Sequence, residues 1–352
     1  MPRLSAASLR RPSRSDDASD LLVDLTSTFV NPGALRMRMF VPPGLAANAP
    51  LVVVLHGCTQ TAAGYDRGAG WSAVAARLGF ALLFPEQIRA NNANACFNWF
   101  EPGDTRRGGG EAASIAGAVT AMVAAYRLDA ARVFITGLSS GGAMANVMLA
   151  TYPDVFAGGA IIAGLPYGTA HGVAEALTTM AHPVPVAPHG LGDHVRAAST
   201  HSGPWPVVSI WHGSSDRTVA MANGEAIAVQ WADVHGATTD TNGRQWRNAA
   251  GIPVVEFHRI DGMGHGTPID AAADGCTPAP FMLNNGIDST AEIAAFWGLG
   301  TVQTRQRARS GSSPPRADRN AKVHASLKAA SRGGFDVTRL INDTLRSAGL
   351  MK

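Results

Sequence analysis

Between residues 51 and 164 short apolar runs closed by glycine or proline alternate with stretches of helical spacing, and few folds accept that alternation. LVVVL (51–55), FALLF (80–84), ARVFIT (131–136) and FAGGAIIAG (156–164) are short and mostly uninterrupted by polar residues, which suits strands buried on both faces. Between them WSAVAARL (71–78), a stretch around Glu111 to Tyr126, and AMANVMLATYP (143–153) carry the helical period. Strand and helix units of this length predict an α/β architecture, a mostly parallel central sheet with helices on both faces. Such sheets hold their ligands at the carboxyl ends of the strands, so functional residues are expected just after strands.

The same pattern runs on in both directions. LRMRMFV (35–41) alternates apolar and basic residues as a half-buried or edge strand does, and Pro42-Pro43 stops it. Downstream, VVSIWHG (207–213) and VVEFHRI (254–260) predict strands, and a helix is expected over about Asn223 to His235. TAEIAAFWGL (290–299) predicts a closing helix. The stretch from about Leu165 to Pro206, full of Pro, Gly and His, reads as loop-rich.

These elements delimit one domain over 21–300. A chain 46% hydrophobic can bury a core of that size. Residues 1–20 are polar and expected to be disordered. They lack an apolar core of about 7 to 15 residues and a cleavage site, so they do not read as a secretory signal. From Thr301 onward there are 11 Lys+Arg against 3 Asp+Glu, so the basic character belongs to this appendage and the rest of the chain is mildly acidic. Residues 301–334 predict a flexible basic linker, and 335–352 a short amphipathic helix with apolar residues at Val337, Leu340, Ile341 and Leu345. That tail would suit an anionic surface such as a granule coat, a membrane or nucleic acid, or else it is a solvated linker whose helix docks on a protein domain.

Gly137-Leu138-Ser139-Ser140-Gly141 falls between a predicted strand and a predicted helix. In such a turn neighbouring backbone comes so close to the serine that only small residues fit two positions either side, and the hydroxyl stands clear over a helix N-terminus. Ser139 is therefore the candidate nucleophile. A serine hydroxyl needs a base, and the base needs a carboxylate to orient it. Asp216, in the loop after VVSIWHG, is the expected acid, with Asp193 as the alternative. His265, in the glycine-rich loop DGMGHGTP after VVEFHRI, is the expected base, whereas His258 lies within the strand itself.

An oxyanion formed by attack on a carbonyl requires two preorganised N–H donors. The amide of Ser140 and that of Cys58, in the loop His56-Gly57-Cys58-Thr59 after LVVVL, are the expected pair. The cysteines at 58, 96 and 276 show no C-x-x-C spacing, which argues against a zinc site. Cys58 and Cys96 are both expected at the carboxyl end of the sheet, so either a disulfide braces the oxyanion loop or the chain carries three buried thiols. Phe97, Trp99 and Phe100 follow another strand end, where they either meet the substrate or roof the core. Trp99 and His56 are the expected substrate contacts.

With LHGCTQTAAGYD, CFNWF, GLSSGGAMAN, WHGSSDRTV, QW at 230–231 and GMGHGTP in order over about 35–300, the chain resembles the polyhydroxybutyrate depolymerase family of esterases, relatives of feruloyl and acetylxylan esterases. The resemblance implies an α/β-hydrolase fold with neither metal nor organic cofactor. It implies Ser139, Asp216 and His265 as triad, and Cys58 and Ser140 at the oxyanion hole. It also implies a polyester oligomer or small ester as substrate, with feruloyl or acetylxylan esters as the alternative, and no nucleic-acid partner. A non-catalytic granule-binding protein on a hydrolase scaffold is the alternative of another class. An extracellular location follows from the family, and a cytoplasmic one from the missing signal.

Overall fold

Leu51, Val53 and Leu55 pack into one apolar cluster while Val52 and Val54 pack into another, so a single strand feeds cores on both faces of a sheet. The computed structural model describes residues 20–182, 188–240 and 242–300. The expectations for the N-terminal segment before Asp20, the basic linker at 301–334 and the tail helix at 335–352 lie outside the described residues.

The chain begins with β1 (Val23–Asp24), β2 (Arg36–Phe40) and β3 (Leu51–Leu55), followed by helices α1 (Ala62–Ala69) and α2 (Trp71–Leu78). Next come β4 (Ala81–Glu86), α3 (Pro102–Thr105), α4 (Gly110–Tyr126), β5 (Val133–Leu138), α5 (Ser140–Thr151) and β6 (Gly158–Ile162). Helices α6 (Val173–Ala181) and α7 (Pro188–Ala197) precede β7 (Val207–Gly213) and α8 (Ala222–His235). The short strands β8 (Thr238–Thr239) and β9 (Gln245–Arg247) lead to β10 (Pro253–Ile260), β11 (Thr267–Ile269), β12 (Met282–Asn284) and α9 (Ser289–Phe296).

Ten strands form one sheet in the order β1-β2-β4-β3-β5-β6-β7-β10-β9-β8. The six from β4 to β10 run parallel, and antiparallel strands flank them on both sides. On one face lie Ile115 and Met122 of α4, Met144 and Met148 of α5, and Ile227 and Trp231 of α8. On the other lie Trp71 and Val74 of α2 and Ile293 of α9, beside Trp297, which stacks on Phe134 at 5.0 Å between ring centroids.

Two expectations are narrowed by the fold. The strand at 36–40 is not an edge, because β1 pairs outside it with Val23 opposite Met39. The loop-rich stretch from Leu165 to Pro206 also holds α6 and α7. Helix α7 even holds Gly190 and Gly192 within its span. Gly172 is the N-cap of α6, and Pro188 opens α7, where a missing N–H costs nothing.

Candidate active site

The loops after β3, β4, β5, β7 and β10 all leave the carboxyl end of the parallel sheet, and each carries a residue of interest. Ser139 sits between β5 and α5 at φ 57°, ψ −117°, a backbone conformation that costs energy for any residue with a Cβ. The sharp turn needs its glycines. A Cβ on Gly141 would lie 2.5 Å from the His56 carbonyl oxygen, and one on Gly137 would overlap the backbone of Gly141. The Ser139 N–H donates to Ile162 O at 2.9 Å, which ties the elbow to the neighbouring strand.

Asp216 follows β7 with its side chain fully buried. Its Oδ1 accepts the N–H groups of Thr218 (2.8 Å) and Val219 (2.9 Å), and its Oδ2 lies 2.7 Å from His265 Nδ1. The carboxylate thus caps its own turn and orients the histidine at once. Burial opposes its charge, but hydrogen bonds from His212 and His265 prevail and hold the carboxyl well below the usual range. Ser139 and His265 line one cavity of about 390 Å³. Asp193, the alternative acid, is exposed on α7 and pairs with Arg196 at 3.7 Å. His258 stacks on Trp211 at 3.8 Å, within the strand.

Cys58 and Cys96 are joined by a disulfide, with Cα atoms 4.2 Å apart. Cys276 is a free thiol. In the loop after β3 the Gly57 N–H donates to Gln60 Oε1 (2.8 Å) and the Thr59 N–H to Asn94 O (2.7 Å). Among the described residues the amides of Cys58 and Ser140 have no hydrogen-bond partner, and Ser140 Oγ lies 3.3 Å from Cys58 Sγ. Cys58 lines the same cavity as Ser139, and Ser140 is the residue directly after it.

His56 does not line the cavity, contrary to its expected role as a substrate contact. It is buried, with Nδ1 2.7 Å from Gly57 O and Nε2 accepting the Gln87 N–H at 3.1 Å. Both ring nitrogens are taken up by backbone, and burial pushes its pKa down, so the neutral ring is a brace between two loops. Phe97 is fully buried beside it, 5.1 Å between ring centroids. Trp99 is 8% exposed, lines the cavity and meets Phe100 edge-on at 5.5 Å, so it both roofs the core and reaches the site. A second wall comes from α6, with Val173, Ala176, Leu177 and Met180. Their i, i+3, i+4, i+7 spacing was present in the sequence and marks a helical apolar face.

Glu111, at the start of α4, clamps the loop after β4. Its carboxyl receives Gln87 Nε2 (2.5 Å), Asn98 Nδ2 (2.8 Å) and Asn98 N–H (2.9 Å), and Gln87 Nε2 also reaches Cys96 O (3.1 Å). Burial outweighs these donors and pushes the carboxyl up to about 8, from 4.5. Below about pH 4.5 both folded and unfolded states hold the proton and the group costs nothing. As pH rises toward 8 the unfolded chain releases its proton first, so stability falls across that window. Urea midpoints measured from pH 5 to pH 8 are expected to decline in the wild type. Glu111→Gln, which keeps an acceptor for Gln87 and Asn98 Nδ2, should flatten the decline, and an equal slope in both proteins would refute the assignment.

The strand-to-helix elbow, the acid after β7 and the histidine after β10 on a mostly parallel sheet define an α/β hydrolase. The family model for esterase PHB depolymerase matches residues 35–257. Over 291 residues the chain is 46% identical to poly(3-hydroxyalkanoate) depolymerase C of Paucimonas lemoignei, covering 79% of this chain and 70% of that protein. It is 32% identical over 266 residues to acetylxylan esterase A of Aspergillus oryzae, covering 69% of this chain and 83% of that one. Among solved structures, an acetyl xylan esterase from Aspergillus awamori superposes with a TM-score of 0.65 at 26% identity, covering 79% of this chain and 99% of the other. This chain belongs to the esterase PHB depolymerase family and is a carboxylic ester hydrolase.

Proposed function

We propose that the protein cleaves esters of 3-hydroxyalkanoate oligomers through an acyl-enzyme formed on Ser139. The observation that carries this is the 2.7 Å contact of His265 Nδ1 with Asp216, which leaves Nε2 of the same ring for the Ser139 hydroxyl across the shared cavity. His265 takes the hydroxyl proton as the Ser139 oxygen bonds to the ester carbon, and the amides of Cys58 and Ser140 receive the oxyanion. The carbon–oxygen bond to the alcohol breaks and the proton passes to that alcohol. Water then attacks the acyl-enzyme by the same route, releasing the acid and restoring Ser139.

The acyl preference rests on the walls. Leu138, Leu177, Met180, Trp99 and Phe281 offer apolar surface suited to a short alkyl branch, and the identity to the hydroxyalkanoate depolymerase exceeds that to the acetylxylan esterase. Acetyl esters on a polysaccharide are the second reading, favoured by the amides of Gln60, Asn92 and Asn94 that also line the cavity. The basic tail is the segment we assign to contact with a granule or other anionic surface.

Rates on 3-hydroxybutyrate oligomers, polyhydroxybutyrate film, acetylated xylan and methyl ferulate separate the two. We expect kcat/KM to be highest on the oligomers, and a preference for acetylated xylan would overturn the substrate assignment. Trp99→Ala should lower kcat/KM about 10-fold or more on oligomers and far less on p-nitrophenyl acetate, because the lost contact is to a longer acyl stem. An equal loss on both, with a lowered melting temperature, would make Trp99 a core residue only.

A further inference from the structure

His212 lies on β7, four residues before Asp216, and is fully buried. Its Nε2 is 2.9 Å from Val219 O and 3.4 Å from Asp216 Oδ2. A carbonyl only accepts, so Nε2 carries a proton and donates it there. Among the described residues Nδ1 has no partner. Helix α8 makes room for it with a glycine, since a Cβ on Gly224 would come within 2.9 Å of Nδ1. An apolar side chain here would carry neither cost, the unpaired buried nitrogen nor the glycine in a helix. What the imidazole provides in return is one N–H aimed at the turn that presents Asp216.

That turn is closed from both sides. Val219 gives its N–H to Asp216 Oδ1 and receives the His212 Nε2–H on its carbonyl, and the same imidazole proton leans on Oδ2, the oxygen that holds His265. We infer that His212 is a positioning residue that fixes the Asp216 carboxylate in the plane His265 requires, an inference that rests on the triad proposed above. It touches no substrate and lies outside the cavity lining.

The test compares His212→Gln, whose amide nitrogen reaches the position of Nε2, with His212→Asn, whose amide reaches only that of Nδ1. Turnover of p-nitrophenyl butyrate by the full chain is expressed per site titrated with a fluorophosphonate, so that unfolded protein does not count. His212→Gln is expected to keep kcat within about 3-fold, and His212→Asn to lower it about 30- to 100-fold with KM little changed, the scale of a misplaced catalytic group. Equal losses in the two, or no loss in His212→Asn, overturn the inference. Should His212→Asn give no titratable sites, His212→Gln decides alone: retained kcat upholds it, and a loss beyond about 10-fold or a failure to fold overturns it. Asp216→Asn in the same assay separates the two levels. Full activity there sinks the triad itself, whereas a disabled Asp216→Asn beside an unaffected His212→Asn sinks only the role of His212.

Discussion

Ser139→Ala is expected to lower kcat on p-nitrophenyl butyrate about 10⁵- to 10⁶-fold and to abolish labelling by a fluorophosphonate. Alanine keeps the Cβ, so the backbone at φ 57° bears the same strain and the elbow persists, with Gly137 and Gly141 still packed against their neighbours. Only the attacking oxygen is gone, and His265 then has no hydroxyl to activate. Asp216→Asn should cost about 10⁴-fold for a related reason. Its Oδ1 must stay an oxygen to accept Thr218 and Val219, so the amide nitrogen takes the place of Oδ2 and donates to His265 Nδ1. The ring proton moves to Nε2, where a base is needed. Asp193→Asn, on exposed α7, should change nothing measurable. Labelling that survives in Ser139→Ala, or a larger loss in Asp193→Asn than in Asp216→Asn, refutes the triad. A wild type with neither labelling nor turnover would instead favour the non-catalytic binding protein.

What was legible in the sequence follows from how local each cause is. The buried strands at 51–55, 81–86, 133–138 and 207–213 announce themselves because both faces are covered and nearly every residue is apolar. The glycines at 137 and 141 flank Ser139 because the turn is tight on its own, whatever surrounds it. The remaining elements had a weaker or masked signal. Strand β1 is two exposed residues, Val23 and Asp24, held mainly by pairing with β2 and by Asp24 meeting Arg36 and Arg38. Helix α6 has a readable apolar face, but the surrounding Pro, Gly and His residues obscured it. His56 and Glu111 were harder still. Each is a buried polar group with at least one partner in a loop 13 to 31 residues away, so its role exists only in the folded arrangement.

Opening the Cys58–Cys96 disulfide, by reductant or by Cys96→Ser, is expected to lower kcat about 10²-fold while KM changes little. Cys58 supplies one of the two amides assigned to the oxyanion, and a misplaced oxyanion donor costs on the order of 10²- to 10³-fold. The lower figure is expected because the loop has other anchors: Thr59 N–H on Asn94 O, Gly57 N–H on Gln60, and the Gln87–Glu111–Asn98 clamp beneath Cys96. The bond spans 38 residues, and closing a loop of that length stabilises a chain by roughly 4 kcal/mol, so the melting temperature should fall as well. The two effects are separable. Assayed well below the transition, a loss of stability alone leaves kcat per titrated site unchanged, whereas a displaced Cys58 amide lowers it. A trifluoromethyl ketone that forms a hemiketal oxyanion on Ser139 should lose affinity in proportion to kcat, since it uses the same two donors. The unreduced, denatured wild type should show one free thiol, Cys276. If reduction lowers the melting temperature but spares both kcat and ketone affinity, the disulfide is a staple only, and the remaining anchors suffice to hold the Cys58 amide in place.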